Sequence, residues 1–188
     1  MRPLPPARFD LGDAVLRWSE VGDAPRLAAA ARASFEHLRP WMTWATSLDV
    51  MTDPAMAAFL TGAIEKRAEG TEVAYSLWTP DERTVLGGAG IHDRVGAGSL
   101  EIGYWLAASA TGRGLVTRAA ALLTDAALAA EGVERVEIHC DEANARSAAV
   151  AARLGYRLDR VVPDEEYALA SGRLMVWIRD APIGVPVE

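Results

Sequence analysis

Apolar positions along the chain follow two different spacings, and the switches between them mark out its elements. From residue 26 to about 37, apolar residues recur three and four apart behind Asp23-Ala24-Pro25, where proline suits a first helical turn, so a helix is expected. A second expected helix follows Thr52-Asp53-Pro54, with Asp53 as its N-cap and Gly70 as its stop. The spacing then shortens to two. Residues 72–78 and 84–92 read as strands joined by the turn-forming run Thr79-Pro80-Asp81-Glu82-Arg83. After the turn Gly96-Ala97-Gly98 come a strand at 100–106, an alanine-rich helix from 115 to about 130, a strand at 135–140 and a helix at 144–154. Strands at 156–161 and 174–178 close the chain, and one at 15–18 opens it. The expected order is βααβββαβαββ. With no internal repeat, low-complexity segment or linker, this is a single mixed α/β domain over residues 1–188.

Composition narrows the class. Of 188 residues, 51% are hydrophobic and 24% charged, which suits a soluble globular protein with a sizeable core. No segment reaches the ~18 uninterrupted apolar residues of a membrane span, so no membrane association is expected. The start, Met1-Arg2-Pro3-Leu4-Pro5-Pro6, has no apolar stretch of the export type, and a cytoplasmic location is the expectation. Cys140 is the sole cysteine, which removes a disulfide framework and any cysteine-based metal cluster. His37, His92 and His139 are scattered without metal-ligand spacing, so no metal is expected. A net charge of −7 argues against general nucleic-acid binding and favours cationic partners.

The chemistry concentrates at two turns. Gly112-Arg113-Gly114-Leu115-Val116-Thr117 sits between an expected strand and an expected helix, where two glycines allow a tight turn. The free N–H groups of that helix's first turn, beside the positive end of its dipole, suit a phosphate or pyrophosphate. Thirty residues on, Asp141-Glu142-Ala143-Asn144-Ala145-Arg146-Ser147 likewise leaves a strand and opens a helix, with Asn144 placed to cap it and Ser147 one turn later. If the two preceding strands lie parallel, both helices open at one sheet edge, where ligands bind in such sheets.

These residues resemble the GNAT acetyltransferase superfamily, specifically its RimJ/RimL-like branch. The resemblance is carried by Glu101-Ile102-Gly103-Tyr104-Trp105-Leu106, by Gly112 to Thr117, by Asn144-Ala145-Arg146-Ser147, by Leu154-Gly155-Tyr156, and by His37-Leu38-Arg39-Pro40-Trp41-Met42-Thr43-Trp44. It implies the GNAT acyl-CoA N-acyltransferase fold, a central mixed, mostly antiparallel sheet with flanking helices. It also implies acetyl transfer from acetyl-CoA to a primary amine, with a protein N-terminal α-amine first and small amines such as amino sugars, polyamines or drugs as the alternative. A non-catalytic acyl-CoA-binding sensor keeping the same fold is a third reading. By resemblance, Gly112, Arg113, Gly114, Leu115, Val116 and Thr117 hold the cofactor phosphates, Leu106 and Ala107 pair with its pantetheine arm, and Asn144 and Ser147 complete the cofactor site. The chain departs from the superfamily at Ser109, where Arg or Gln is common, and at Ala151, where a tyrosine often stands.

Amine acetylation needs a neutral nucleophile, and an α-amino group titrates near ~8, so a modest base suffices. Two glutamates are candidates. Glu101 lies on the strand that the resemblance places at the cofactor, where burial is expected to raise its pKa; Glu166 matches, by its spacing from Ser147, the general base of RimL-like enzymes. A backbone N–H near Leu106 or Ala107 is the expected donor to the developing oxyanion. Ser147 is the expected contact of the thiol. Transfer is expected to be direct, without an acyl-enzyme on Cys140. His37, Trp41, Met42 and Trp44 form either an aromatic wall at the acceptor site or part of the core. The last strands leave a homodimer as a further expectation.

Overall fold

The computed structural model describes residues 3–164 and 170–185. Eight strands form one sheet: β1 Arg8–Asp10, β2 Val15–Trp18, β3 Glu72–Trp78, β4 Val85–His92, β5 Ser99–Leu106, β6 Arg135–Asp141, β7 Arg157–Pro163 and β8 Arg173–Arg179. Their spatial order is β1-β2-β3-β4-β5-β6-β8-β7. Every neighbouring pair is antiparallel except β5 and β6, which run parallel and pair only over Ser99–Glu101 against Arg135–Glu137. Beyond Glu101 the two strands part. β5 therefore carries residues 102–106 without a neighbour on its β6 side, and a wedge opens in the middle of the sheet.

Side-chain alternation sends Val73, Tyr75 and Leu77 of β3 and Leu100 and Ile102 of β5 to one face. There they meet α4 (Leu115–Leu128), whose Leu115, Ala119, Leu122 and Leu123 are buried, and α5 (Ala145–Arg153), which contributes Val150 and Ala151. Trp78 and Val85 point to the opposite face, against Ala24 and Leu27 of α1 (Ala24–Ala33) and Leu60 of α3 (Asp53–Glu69). Because α4 and α5 each follow one strand of the parted pair, both begin at the wedge.

Three elements differ from the sequence expectation. The first expected helix is two: α1 stops before Ser34, and α2 (Phe35–Leu38) follows. Ser34 leaves helical geometry, and its Oγ accepts a hydrogen bond from the Ala108 backbone N–H (3.1 Å), which ties this corner to the end of β5. The cap of α3 is Thr52, whose hydroxyl accepts from Ala55 N–H, and Asp53 is the first helical residue. β1 was not expected, since three residues with the single buried apolar side chain of Phe9 show no period.

Candidate active site

The glycine turn takes the form its sequence implies. Gly112 and Gly114 adopt φ of +80° and +69°, and a β-carbon on either would meet no atom within 4 Å, so backbone conformation rather than crowding calls for glycine. Gly114 is also the N-cap residue of α4, and no side chain caps this helix, whereas Thr52 caps α3 and Asn144 caps α5. The uncapped N–H groups face a cleft of about 1040 Å³, into which Arg113, Arg118, Arg146 and Arg153 also project. Asp13 pairs with Arg113 (3.1 Å) and Arg118 (2.6 Å), and Arg118 holds the Asp13 carboxyl below its usual range. Uncapped backbone donors, a dipole end and four guanidinium groups fit the phosphates of acetyl-CoA.

Of the expected cofactor residues, Leu106, the whole turn from Gly112 to Thr117, Asn144 and Ser147 line this cleft. Ala107 does not. It is buried, and its N–H already donates to Leu86 O (2.9 Å), which also removes it as a donor to an oxyanion. Unpaired backbone on the β6 side of β5 remains along residues 102–106.

Where the cleft meets the start of α5, Asn144 Oδ1 accepts from Ser147 N–H (3.1 Å) and so fixes the first turn of that helix. The Ser147 hydroxyl then lies 2.9 Å from the Tyr104 hydroxyl. Burial drives the Tyr104 pKa upward, which keeps the phenol protonated and able to donate. In the sequence Tyr104 stands out only as part of a motif; its role depends on where α5 docks, and no local pattern reports that. Burial likewise pushes the Cys140 thiol up, away from the thiolate a nucleophile needs.

A second cavity, of about 440 Å³, lies on the α3 side and meets the first at Trp41, Met42, Tyr104, Trp105, Asn144 and Ser147. Trp44 borders only this second cavity; it is 40% exposed and packs edge-on against Trp105 at 5.8 Å, so it forms wall rather than core. His37 borders only the first cleft, where burial and the nearby charge of Arg146 lower its pKa. The floor of the second cavity is polar: Glu72, His92, Glu101 and His139 line it.

Glu101 is 5% exposed and is gripped by Arg94, whose Nε and Nη2 each donate to one carboxylate oxygen at 2.7 Å. The expected rise in its pKa is not found. Burial does push it upward, but Arg94, His139 and His92 together outweigh that push and hold the group below its usual range. Glu72 is pulled to about 2 by His92, against burial and with help from Lys66. Glu166, the other expected base, lies outside the described residues. Among those residues no cluster of His, Cys, Asp and Glu is arranged to hold a metal ion, and no helix is long and apolar enough to cross a membrane.

A parted parallel strand pair, a phosphate-type helix start beside it and a second cavity joining at the gap define an acyl-CoA transferase site. The acetyltransferase (GNAT) domain model matches residues 14–157, and the chain belongs to that family. Acetyl-CoA-dependent N-acetyl transfer is accordingly its chemistry. A search of curated proteins finds no match. Among solved structures, the chain is similar to the ribosomal-protein-S5-alanine acetyltransferase of Vibrio fischeri (TM-score 0.84, 19% identity, 96% of this chain and 100% of that one). It is also similar to Mycobacterium smegmatis RimJ in complex with CoA-disulfide (0.81, 24%, 96% and 88%). A third is RimL, the ribosomal L7/L12 alpha-N-protein acetyltransferase, in complex with coenzyme A (0.82, 19%, 94% and 99%).

Proposed function

We propose that the chain transfers acetyl from acetyl-CoA to the α-amine of a protein N-terminus, by direct attack in a ternary complex. One observation carries this reading: a cleft at the uncapped start of α4 and a second cavity on the α3 side meet at Tyr104 and Ser147. When bound in the first, acetyl-CoA supplies an activated acetyl thioester. The uncapped start of α4 and the arginines around it anchor its phosphates, and the free edge of β5 guides the arm toward Ser147. Ser147, hydrogen-bonded to Tyr104, orients the sulfur. An amine entering the second cavity meets Glu72, His92, Glu101 and His139, with Lys66 and Arg94 paired to the two carboxylates.

Two of the similar structures named above, the Vibrio fischeri enzyme and RimL, are described as acetyltransferases of ribosomal proteins, which supports an N-terminal amine as acceptor. A small-molecule amine is the second reading, favoured by a cavity of about 440 Å³, the size of a small-ligand pocket. A screen for CoA release across N-terminal peptides and small amines separates them: peptides are expected to be the better substrates by kcat/KM. If polyamines or amino sugars win, the second reading replaces the first. Should no amine release CoA while acetyl-CoA binds, the chain is an acyl-CoA sensor instead. Direct transfer predicts that Cys140→Ser keeps turnover. By resemblance Glu166 stays a candidate base; Glu101, the other candidate, has both oxygens held by Arg94. We also read the chain as one domain with β7 at the free sheet edge as the surface for a second copy, which the mass in solution tests.

A further inference from the structure

Gly90 and Gly103 face each other across β4 and β5, and the ring of His92 lies over both. A β-carbon on Gly90 would stand 2.9 Å from His92 Nε2, and one on Gly103 would stand 3.3 Å from the same atom. His92 itself pairs in register with Glu101, so its ring leans from that position along β5 in the direction of Tyr104 and Trp105. That is where the acceptor cavity joins the donor cleft. The two ring nitrogens face different surroundings. Nδ1 is shut away from solvent and makes no hydrogen bond, with Glu72 Oε2 3.4 Å away, and Glu72 is in turn held by Lys66 Nζ at 3.0 Å. Nε2 is the nitrogen on the side of the glycine pair, so the two missing side chains make room for it at the cavity floor.

We propose that His92 is the proton acceptor of the acetyl transfer, taking a proton from the incoming ammonium at Nε2, directly or across one water, with Glu72 as its positioning residue. This rests on the reading of the two cavities as donor and acceptor sites. An N–H bond of the ammonium breaks and an Nε2–H bond forms. The freed nitrogen lone pair then makes the new C–N bond as the C–S bond breaks, and the electron pair leaves on sulfur. The second proton on nitrogen goes to that sulfur, giving the thiol, and the imidazolium returns its proton to solvent. Glu101 cannot do this as well, because both its oxygens are engaged by Arg94 in the ionised form. Imidazole is the side chain suited to proton exchange near neutrality.

Charged and titratable groups face His92 from several elements: Glu72 on β3, Lys66 on α3, Glu101 on β5, Arg94 after β4, and His139 and Glu137 on β6. The segments covering the cavity contribute Met42, Trp44, Met56 and Phe59, none of them ionisable.

The test is the pH dependence of kcat/KM, measured as CoA release with the best amine of the screen, for the wild type, His92→Gln, Glu72→Gln, His139→Gln and Glu166→Gln. Acetyl-CoA binding by calorimetry checks that each variant is folded. His92→Gln is expected to lose ~10²-fold in kcat and its rising acid limb, with acetyl-CoA affinity within about twofold. Glu72→Gln removes a negative neighbour, which disfavours the imidazolium, so the limb is expected to move to lower pH with the plateau largely kept. A merely structural role for Glu72 would lower the plateau and leave the limb in place, which counts against the proposal. His92→Gln within twofold of wild type overturns it outright, as does loss of the limb in His139→Gln or Glu166→Gln instead. A wild type silent toward every amine overturns the donor–acceptor reading and this proposal together, whereas an active wild type matched by His92→Gln overturns this proposal alone.

Discussion

Ser147 and Gly114 act through different physics, and their substitutions separate the two. Ser147→Ala removes the hydrogen bond to Tyr104 but leaves the backbone N–H that Asn144 accepts. A hydrogen bond nets roughly 0.5–1.5 kcal/mol, so kcat is expected to fall by up to about tenfold with the KM for acetyl-CoA little changed. Gly114→Ala puts a β-carbon into open space but onto a left-handed backbone, a cost of roughly 1–2 kcal/mol. It is expected to lower the melting temperature and weaken acetyl-CoA binding together, because the turn that carries the strain is the turn that presents the N–H groups. Calorimetry on the two variants checks both: a binding loss in Ser147→Ala matching that of Gly114→Ala counts against the division. Legibility at these positions follows locality. The glycine turn and the Asn144 cap are readable in sequence because their geometry is set within four residues. Tyr104 and His92 are not, since one depends on where α5 docks and the other on cross-strand register over a glycine pair.

Helix starts differ in what closes them and in what they face. Thr52 caps α3 and Asn144 caps α5, while α1 and α4 have no side-chain cap, and of these two α4 leaves its donors open toward the cleft. A capped helix needs no ligand, and an uncapped one facing a cavity lined by arginines is completed by an anion. Asn144→Ala is expected to destabilise the fold by about 1 kcal/mol, the usual value of an N-cap, and to reduce kcat through loosened placement of Ser147. Denaturant unfolding set beside steady-state kinetics checks this, and an effect on stability with none on kcat would detach the cap from catalysis. At this level the sequence yields most strands and helices, because burial on one face writes a period into each. It misses the break at Ser34, where the side chain accepts a hydrogen bond from Ala108, a partner far along the chain. It also misses β1, too short to show any period.

The parting of β5 from β6 opens the first cleft, and the ionic groups beside that gap tie stability to pH. Glu72 on β3, His92 on β4, Glu101 on β5 and His139 with Glu137 on β6 cross the sheet as a continuous stripe, with Lys66, Arg94 and Arg135 at its margins. Lys66 and Glu72 are six residues apart and Arg94 and Glu101 seven, but Glu72, His92, Glu101 and His139 come from four different strands, so only the strand order reveals the stripe as a whole. In the folded chain Glu72 titrates at about 2 instead of 4.5, and Glu101 is also held below its usual range. A folded-state pKa below the unfolded one means that the unfolded chain binds the proton more readily as pH falls. The stabilisation from Glu72 is therefore complete above about 4.5, shrinks as pH drops, and is gone once pH has passed through about 2. Wild type is thus expected to lose melting temperature steadily as pH falls from about 4.5 towards 2. Glu72→Gln, less stable than wild type at pH 6, is expected to lose less over the same range, so that the two curves converge toward pH 2. Scanning calorimetry across that range decides the matter: parallel curves would mean that the Glu72 carboxylate gains nothing from folding beside His92 and Lys66.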